Sequence, residues 1–135
     1  KVQVKDTFQI FGKKTKNAII ATGYATHVMN ELRTDLLKNN INFTLIDIFQ
    51  IKPINENKLK LYLKNFKNII VVEEHTKNGG LGSLISEIKS DNNLKFKLQR
   101  FGIKDENLYT YNSRDKIYKN NKIDKNSIKK IILKL

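Results

Sequence analysis

The amino-acid sequence predicts an α/β domain in which helices cover both faces of a mainly parallel sheet. Short apolar segments, typical of buried strands, alternate with segments whose apolar residues recur every three or four positions, as on one face of a helix. Strands that alternate with helices form parallel sheets through right-handed crossovers. The length of 135 residues suits one hydrophobic core, so residues 1–135 are predicted to form a single domain.

The first half of the chain predicts the edge and the centre of this sheet. Residues 2–11 alternate apolar and polar side chains, which predicts one or two short strands at a sheet edge. Ala18–Ala21 is a continuous apolar run, which suits a strand buried on both faces, and Phe43–Ile48 is predicted to be the second central strand. A helix is predicted between them, at about residues 25–37, because apolar residues four positions apart share one of its faces.

The second half continues the alternation of helices and strands and ends with two short helices. The predicted elements are, in order, a helix capped by Asn55 and continuing to Phe66, a strand at Ile69–Val72, a helix from Leu81 to Ile88, an alternating strand at Leu94–Gln99, and helices that begin near Ser113 and at Asp124. The alternation in residues 94–99 predicts that this strand has one solvated face.

Polar and glycine residues follow two of the predicted central strands. The strand at 69–72 runs into Glu73, Glu74 and His75 and then into a glycine-rich turn, and Thr22-Gly23 follows the strand at 18–21. In open α/β sheets, ligands and functional contacts collect at the carboxyl ends of the strands. The candidate residues for an interface or an anion contact are Thr22, Gly23, Glu74, His75, Gly79, Gly80 and Gly82.

The acidic residues and the histidine at this edge permit two interpretations. A carboxylate beside an imidazole is suited to an acid/base pair or to half of a metal site. Three adjacent residues cannot all point the same way, however, and neither a second histidine nor a cysteine is close in sequence to complete a metal site. We therefore expect Glu74 and His75 to fix the loop or to form an interface, and we assign no catalytic, cofactor-binding or metal-binding residue.

The glycine turn at 79–82 also permits two interpretations. Backbone N–H groups at the start of a helix can cradle a phosphate. The turn lacks the Gly-Lys-Ser/Thr ending of a Walker loop, and it follows the third central strand rather than the first. Backbone geometry or a domain contact is therefore the expected role, and the anion contact is the alternative.

The net charge of +13 points at first to nucleic acid. The lysines are scattered along the chain, however, and arginine, the better reader of phosphates and bases, occurs only as Arg33, Arg100 and Arg114. We expect solvated surface lysines and no nucleic-acid partner, with an acidic partner subunit or domain as the alternative. The chain has no cysteine, no signal peptide is visible, and no apolar run approaches the roughly 20 residues of a membrane span, so we expect a cytoplasmic protein without membrane contact.

An ordered set of segments resembles the C-terminal domain of the transketolase family. These segments are Ala18–Gly23, Leu45–Asp47, Ile51–Ile54, Val71–His75 with Gly79–Ser83, and Arg100–Asp105. The resemblance spans nearly the whole chain and implies a three-layer α/β/α sandwich with a mostly parallel five-stranded sheet. Ile51-Lys52-Pro53 is more similar to transketolase or deoxyxylulose-phosphate synthase than to the β subunits of 2-oxo-acid dehydrogenases, and the glycine turn is most similar to split-subunit transketolases.

The resemblance implies a structural and assembly role in a thiamine-diphosphate enzyme that transfers two-carbon ketol units between sugar phosphates. In this family two other domains hold the cofactor, one gripping the diphosphate through Mg²⁺ and one gripping the pyrimidine. The chain, which begins at Lys1 rather than Met, would then be an inactive fragment of a homodimeric enzyme. Its candidate residues would face the pyrimidine-binding domain or the dimer mate. The alternatives are a stand-alone module that binds a phosphorylated ligand, the C-terminal domain of deoxyxylulose-phosphate synthase, and a basic nucleic-acid binder.

Overall fold

The computed structural model describes residues 6–105 and 112–135 and contains a five-stranded sheet with the strand order β1-β3-β2-β4-β5. The strands are β1 Phe8–Phe11, β2 Asn17–Ala21, β3 Thr44–Ile48, β4 Asn68–Thr76 and β5 Lys97–Ile103. The helices are α1 Tyr24–Leu37, α2 Glu56–Leu63, α3 Leu81–Asp91, α4 Arg114–Asn120 and α5 Lys125–Ile132. Neighbouring strands are parallel except β1, which is antiparallel to β3. The predicted α/β class with a mostly parallel five-stranded sheet is confirmed.

The core consists of two apolar clusters, one on each face of the sheet. Successive residues of a strand point to opposite faces, so Ile19 and Ile20 of β2 enter different clusters. The cluster with Ile20 includes residues of α2 and α3, such as Leu59, and the cluster with Ile19 includes residues of α1, α4 and α5, such as Met29. Burial on both faces explains why the central strands are continuous apolar runs.

Side-chain caps begin three of the helices where the sequence places them. Asn55 accepts a hydrogen bond from the Lys58 N–H at 3.1 Å, and Asp124 accepts one from the Ser127 N–H at 3.2 Å. Ser113 accepts one from the Lys116 N–H at 3.4 Å. Each cap satisfies a backbone donor that has no partner inside its helix. No helix in residues 6–105 or 112–135 is long and apolar enough to cross a membrane.

Strands β4 and β5 differ most from their predicted bounds, and β5 ends at Ile103 rather than at Gln99. The fifth strand begins at Lys97 rather than at Leu94, because residues up to Leu94 terminate α3: Asn93 has a φ of 51° and the Leu94 N–H donates to the Lys89 carbonyl at 2.9 Å. Strand β4 continues to Thr76, so the acidic pair and the histidine belong to a strand rather than to a loop. The predicted edge strands at 2–11 are one strand within the described residues, and residues 2–5 lie outside them.

Candidate functional site at the carboxyl edge of the sheet

A buried carboxylate organises the glycine turn. Glu73 of β4 is 1% exposed, and its Oε1 accepts the Leu81 N–H at 2.9 Å while its Oε2 accepts the Gly82 N–H at 2.7 Å. These donors lie in the first turn of α3, whose N-cap residue, Gly80, has no side chain to satisfy them. A carboxylate is favoured there by the helix dipole and by two charge-assisted hydrogen bonds. Glu73 therefore acts as the cap of α3 from the neighbouring strand.

Three glycines surround the Glu73 side chain at distances that exclude any larger residue. A Cβ added at Gly80 would lie 1.9 Å from Glu73 Oε1, and one at Gly82 would lie 2.8 Å from Arg100 Nε. A Cβ added at Gly102 would lie 2.7 Å from the His75 carbonyl oxygen. The turn and strand β5 therefore need glycine here because the backbone packs directly against the buried acid.

Gly79 differs from these three because its constraint is conformational. Its φ is +77° and its surroundings are open, so only the left-handed backbone favours glycine there. The Gly79 N–H donates to Ser83 Oγ at 3.0 Å, and Ser83 Oγ donates to the Lys77 carbonyl at 2.8 Å. The turn is thus closed from both sides, by Glu73 on the inside and by Ser83 on the outside.

This closure bears directly on the anion interpretation of the turn. The N–H groups of Gly79, Leu81 and Gly82 all donate to side chains of the protein itself. A phosphate at the start of α3 would have to displace a buried carboxylate from two hydrogen bonds, and leaving that carboxylate without them is costly. The geometry favours the contact role of the turn over the anion role.

Four of the seven candidate residues meet at one small cavity. Thr22, His75, Gly79 and Gly80 line a cavity of about 110 Å³ at the carboxyl ends of β2 and β4, together with Ile51 from the loop after β3. His75 is exposed, whereas the cavity also reaches the buried Glu73 and Leu81. The topology therefore brings together residues from three strand exits that are far apart in sequence.

The other three candidate residues are not part of this cavity. Gly23 has a φ of 59° and precedes α1. Gly82 is buried between Glu73 and Arg100, as described above. Glu74 lies on the opposite face of β4, where its Oε1 pairs with Arg114 Nε at 2.9 Å. The alternative interpretation, an acid/base pair of Glu74 with His75, is not supported, because alternation along the strand separates their side chains.

The pair of Glu74 and Arg114 belongs to a cluster that holds α4 against the sheet. The guanidinium of Arg114 lies 4.1 Å from the centre of the Tyr24 ring, a cation–π contact with the start of α1. Tyr24 also meets Tyr118 of α4 edge to face, with ring centres 6.0 Å apart. Burial, followed by the nearby carboxylate of Glu74, raises the pKa of Tyr118 well above its usual range. Glu74 is thus a structural ion-pair residue.

Large apolar side chains are exposed around the cavity. Phe49 and Ile51, just after β3, are 54% and 36% exposed, and Tyr24, just after β2, is 42% exposed. A second cleft, of about 450 Å³, continues from the cavity between residues 51–54 and the start of α3. Exposed large apolar side chains beside a shaped depression are typical of a protein–protein contact. The signal for this contact surface was present in the sequence as apolar residues in a strand-exit loop, but it was not recognised as such.

Sequence reasoning also missed Glu73 as the organising residue. It placed Glu73 with Glu74 and His75 at the end of the strand and gave it no role of its own, whereas the structure buries its side chain beneath the glycine turn. A signal was available: Glu73 directly follows a buried apolar run, and the next helix begins at Gly80 without a capping side chain. An uncapped helix start needs an acceptor from elsewhere in the fold.

Fold and carboxyl edge together define a three-layer α/β/α domain with a closed glycine turn beside β4. The chain belongs to the transketolase C-terminal domain family, since the sequence model of that family, "Transketolase, C-terminal domain", matches residues 8–128. The resemblance inferred from the sequence is therefore confirmed.

Two relatives of this chain are considerably longer proteins. The chain is 30% identical over 132 residues to a subunit of the apulose-4-phosphate transketolase of Actinobacillus succinogenes, a match that covers 98% of this chain and 42% of the relative. It is 33% identical over 97 residues to 1-deoxy-D-xylulose-5-phosphate synthase of Fusobacterium nucleatum, which covers 72% of this chain and 16% of the relative. The chain thus spans less than half the length of either relative.

A solved structure shows the same fold. The protein described as a split gene transketolase, inactive beta4 tetramer, superposes with a TM-score of 0.80 and 20% sequence identity. The superposition covers 94% of this chain and 41% of that chain. At this identity the likeness concerns the fold alone.

Proposed function

We propose that this chain is the C-terminal assembly domain of a thiamine-diphosphate-dependent transketolase-type enzyme, which transfers two-carbon ketol units between sugar phosphates. Family membership over residues 8–128 supports the class of enzyme. The observation that carries the assembly role is the exposed apolar side chain of Ile51, which lines both the cavity and the cleft beside the closed glycine turn. This surface has the composition of an interface, whereas the turn itself offers no open catalytic or anion site.

The turn is suited to contact because its shape is fixed from within. Glu73 and Ser83 hold the backbone around Gly79 and Gly80, so the outer side of the turn forms without a partner. A preformed surface loses little conformational entropy on association. The pyrimidine-binding domain of the same enzyme, or the dimer mate, is the proposed occupant of this surface.

The cofactor is proposed to bind outside this domain. In residues 6–105 and 112–135, no three His, Cys, Asp or Glu side chains come together where they could hold a metal ion. The N–H groups at the start of α3 are engaged by Glu73. The described residues therefore do not fit thiamine diphosphate with Mg²⁺, which we assign to the diphosphate-binding and pyrimidine-binding domains of a homodimeric, cytoplasmic enzyme.

The test uses the polypeptide that the gene encodes, together with any subunit encoded beside it. Ile51→Asp places a charge in the proposed interface, since Ile51 lines both the cavity and the cleft, and we expect it to reduce both the assembled mass in solution and the ketol transfer that depends on thiamine diphosphate. Leu61→Asp is the matched control, because Leu61 is 57% exposed on α2, outside the residues that line the cavity and the cleft. Normal assembly and activity of the Ile51 variant would contradict the assembly role.

The gene itself offers an independent test of the proposal. A neighbouring frame or gene that encodes pyrimidine-binding and diphosphate-binding domains is the expected finding. If neither is present in the genome neighbourhood and the chain is expressed by itself, the proposal is wrong and the stand-alone ligand-binding module takes its place.

A second candidate is the C-terminal domain of a deoxyxylulose-phosphate synthase. The relative in Fusobacterium nucleatum, at 33% identity, favours it. Both candidates give this domain the same role in assembly. Formation of 1-deoxy-D-xylulose 5-phosphate by the assembled enzyme, in place of ketol transfer between sugar phosphates, would identify this branch.

A further inference from the structure

The outer edge of strand β5 borders a long, open groove that is lined by cations. The groove has a volume of about 730 Å³, and Lys89, Lys95, Lys97 and Arg100 lie along it. Its other lining residues are two serines, a leucine and Phe96, so no carboxylate lines it. Four cationic side chains therefore share one surface without an internal counter-charge.

The other clefts that contain a cation also contain a carboxylate. The two clefts beside α1 contain Glu31, and Lys125, which lines both of them, pairs with Asp35 at 3.2 Å and with Glu31 at 3.5 Å. The cleft at the carboxyl edge contains Glu87. Within the described part of the chain, by contrast, none of the three lysines of the β5 groove takes part in an ion pair. The groove is therefore a region of concentrated positive charge.

The groove also borders an open row of backbone hydrogen-bonding groups. Among residues 6–105 and 112–135, strand β5 lies at one edge of the sheet and pairs only with β4. The Lys97 N–H donates to the Lys67 carbonyl, at 2.9 Å, on the β4 side. Because backbone groups alternate in direction along a strand, those of Leu98 and Arg100 point to the open edge. Such an edge is a template for another extended chain.

We propose that the β5 groove binds an acidic polypeptide segment in extended conformation, which adds to the sheet as a sixth strand. The backbone of β5 would supply the hydrogen bonds, and the surrounding lysines would select for carboxylates. The occupant is a protein segment rather than a nucleic acid for two reasons. Arg100 is committed to the Lys77 carbonyl and to Ser83 Oγ, and Phe96 is only 2% exposed under the ammonium group of Lys89, so no ring is free to stack on a base.

This proposal does not depend on the proposed enzyme activity, and its test uses the 135-residue chain alone. The probe is a fluorescent octapeptide of alternating glutamate and valine, followed by anisotropy at low and at physiological salt. Lys95→Glu combined with Lys97→Glu should weaken binding by about tenfold or more, since it reverses the charge of the groove. Lys129→Glu combined with Lys130→Glu, on exposed residues of α5, gives the same change in net charge and should leave affinity within about twofold.

Two further measurements separate strand addition from simple attraction of charge. Peptide binding should slow hydrogen exchange at the amides of Leu98 and Arg100, whose N–H groups face the open edge. A peptide with proline at every second position keeps the acidic charge but loses half of its backbone N–H donors and has every proline φ fixed near about −65°, which is unfavourable for a paired strand, and it should bind at least about tenfold more weakly.

The proposal is overturned by any of four results. These are no binding of the acidic peptide, equal loss of affinity in both double variants, equal affinity for the proline peptide, and tighter binding of a single-stranded oligonucleotide than of the peptide. None of these outcomes bears on ketol transfer, so failure here is distinct from failure of the proposed function.

Discussion

Glu73 and Glu74 are adjacent and chemically identical, yet they face opposite sides of β4 and have different structural roles. Glu73 is buried and accepts two backbone N–H groups at the start of α3. The Glu74 side chain is 31% exposed and pairs with Arg114, whose side chain is 56% exposed. The difference teaches that burial and partner type, rather than residue type, decide what a carboxylate contributes. A buried acid with fixed dipoles organises a turn, whereas a half-exposed acid contributes a modest ion pair.

The most damaging change that tests this comparison is Gly80→Val. Its Cβ would fall on the Glu73 carboxylate, so either the turn or the acid must move. We expect the variant to lose about 3 kcal/mol of unfolding free energy, measured by urea denaturation. Gly79→Asn is the matched control because Gly79 has open surroundings and asparagine tolerates positive φ, and it should cost at most about 1 kcal/mol. Equal losses in the two variants would show that Glu73 does not constrain the turn.

Glu73→Gln should be the next most costly change. The glutamine side chain has one carbonyl oxygen, so its NH₂ group would face one of the two N–H donors of α3. We expect a loss of about 2 kcal/mol in urea denaturation, since a buried donor is left without a partner. Faster amide exchange at Leu81 and Gly82 would locate the damage, and an unchanged stability would refute the capping role.

Tyr118→Phe tests the cluster around Glu74, because the stability of the wild-type protein should depend on pH in a way that the stability of this variant does not. The pKa of Tyr118 is raised in the folded state, so its contribution to stability is complete below the unfolded pKa, near 10, and is lost as the pH rises above that value. The free energy of unfolding of both proteins is measured from pH 8 to pH 11. Above about pH 10, that of the wild-type protein should fall by up to about 1.4 kcal/mol per pH unit relative to the phenylalanine variant. Parallel pH profiles of the two proteins would contradict this.

Glu74→Gln should have the smallest effect. Both partners of its ion pair are partly exposed, so we expect a loss of no more than about 1 kcal/mol. The difference from the wild type should shrink in 1 M salt, which screens an exposed pair. A loss as large as that of Glu73→Gln would abolish the distinction between the two residues.

Most of the fold could be predicted because its determinants are local. The strand at Ala18–Ala21 is apolar on both faces, and the helices after Asn55 and Asp124 have caps that sequence displays directly. The start of β5 could not be predicted, because the alternation at residues 94–96 is also compatible with the end of α3. The positive φ of Asn93 and the hydrogen bond from the Leu94 N–H to the Lys89 carbonyl show that these residues belong to the end of α3.

The site was harder to predict because its contacts join distant parts of the chain. The sequence indicated that Thr22, His75, Gly79 and Gly80 would approach one another, since parallel strands end at the same edge, and they do share a cavity. The sequence did not reveal that Glu74 would form an ion pair with Arg114, which belongs to a helix much later in the chain. It also misjudged Glu73, because a glutamate near a strand end resembles a solvated residue until its backbone partners are known.

The internal cap of α3 has a consequence for how this edge behaves in a medium rich in phosphorylated sugars. Helix starts with free N–H groups attract whatever anions are present. Here the position is filled by a carboxylate that belongs to the chain and cannot diffuse away. Metabolite concentration should therefore leave this edge unchanged, and any contact made by the outer side of the turn should persist equally well when sugar phosphates are scarce and when they are abundant.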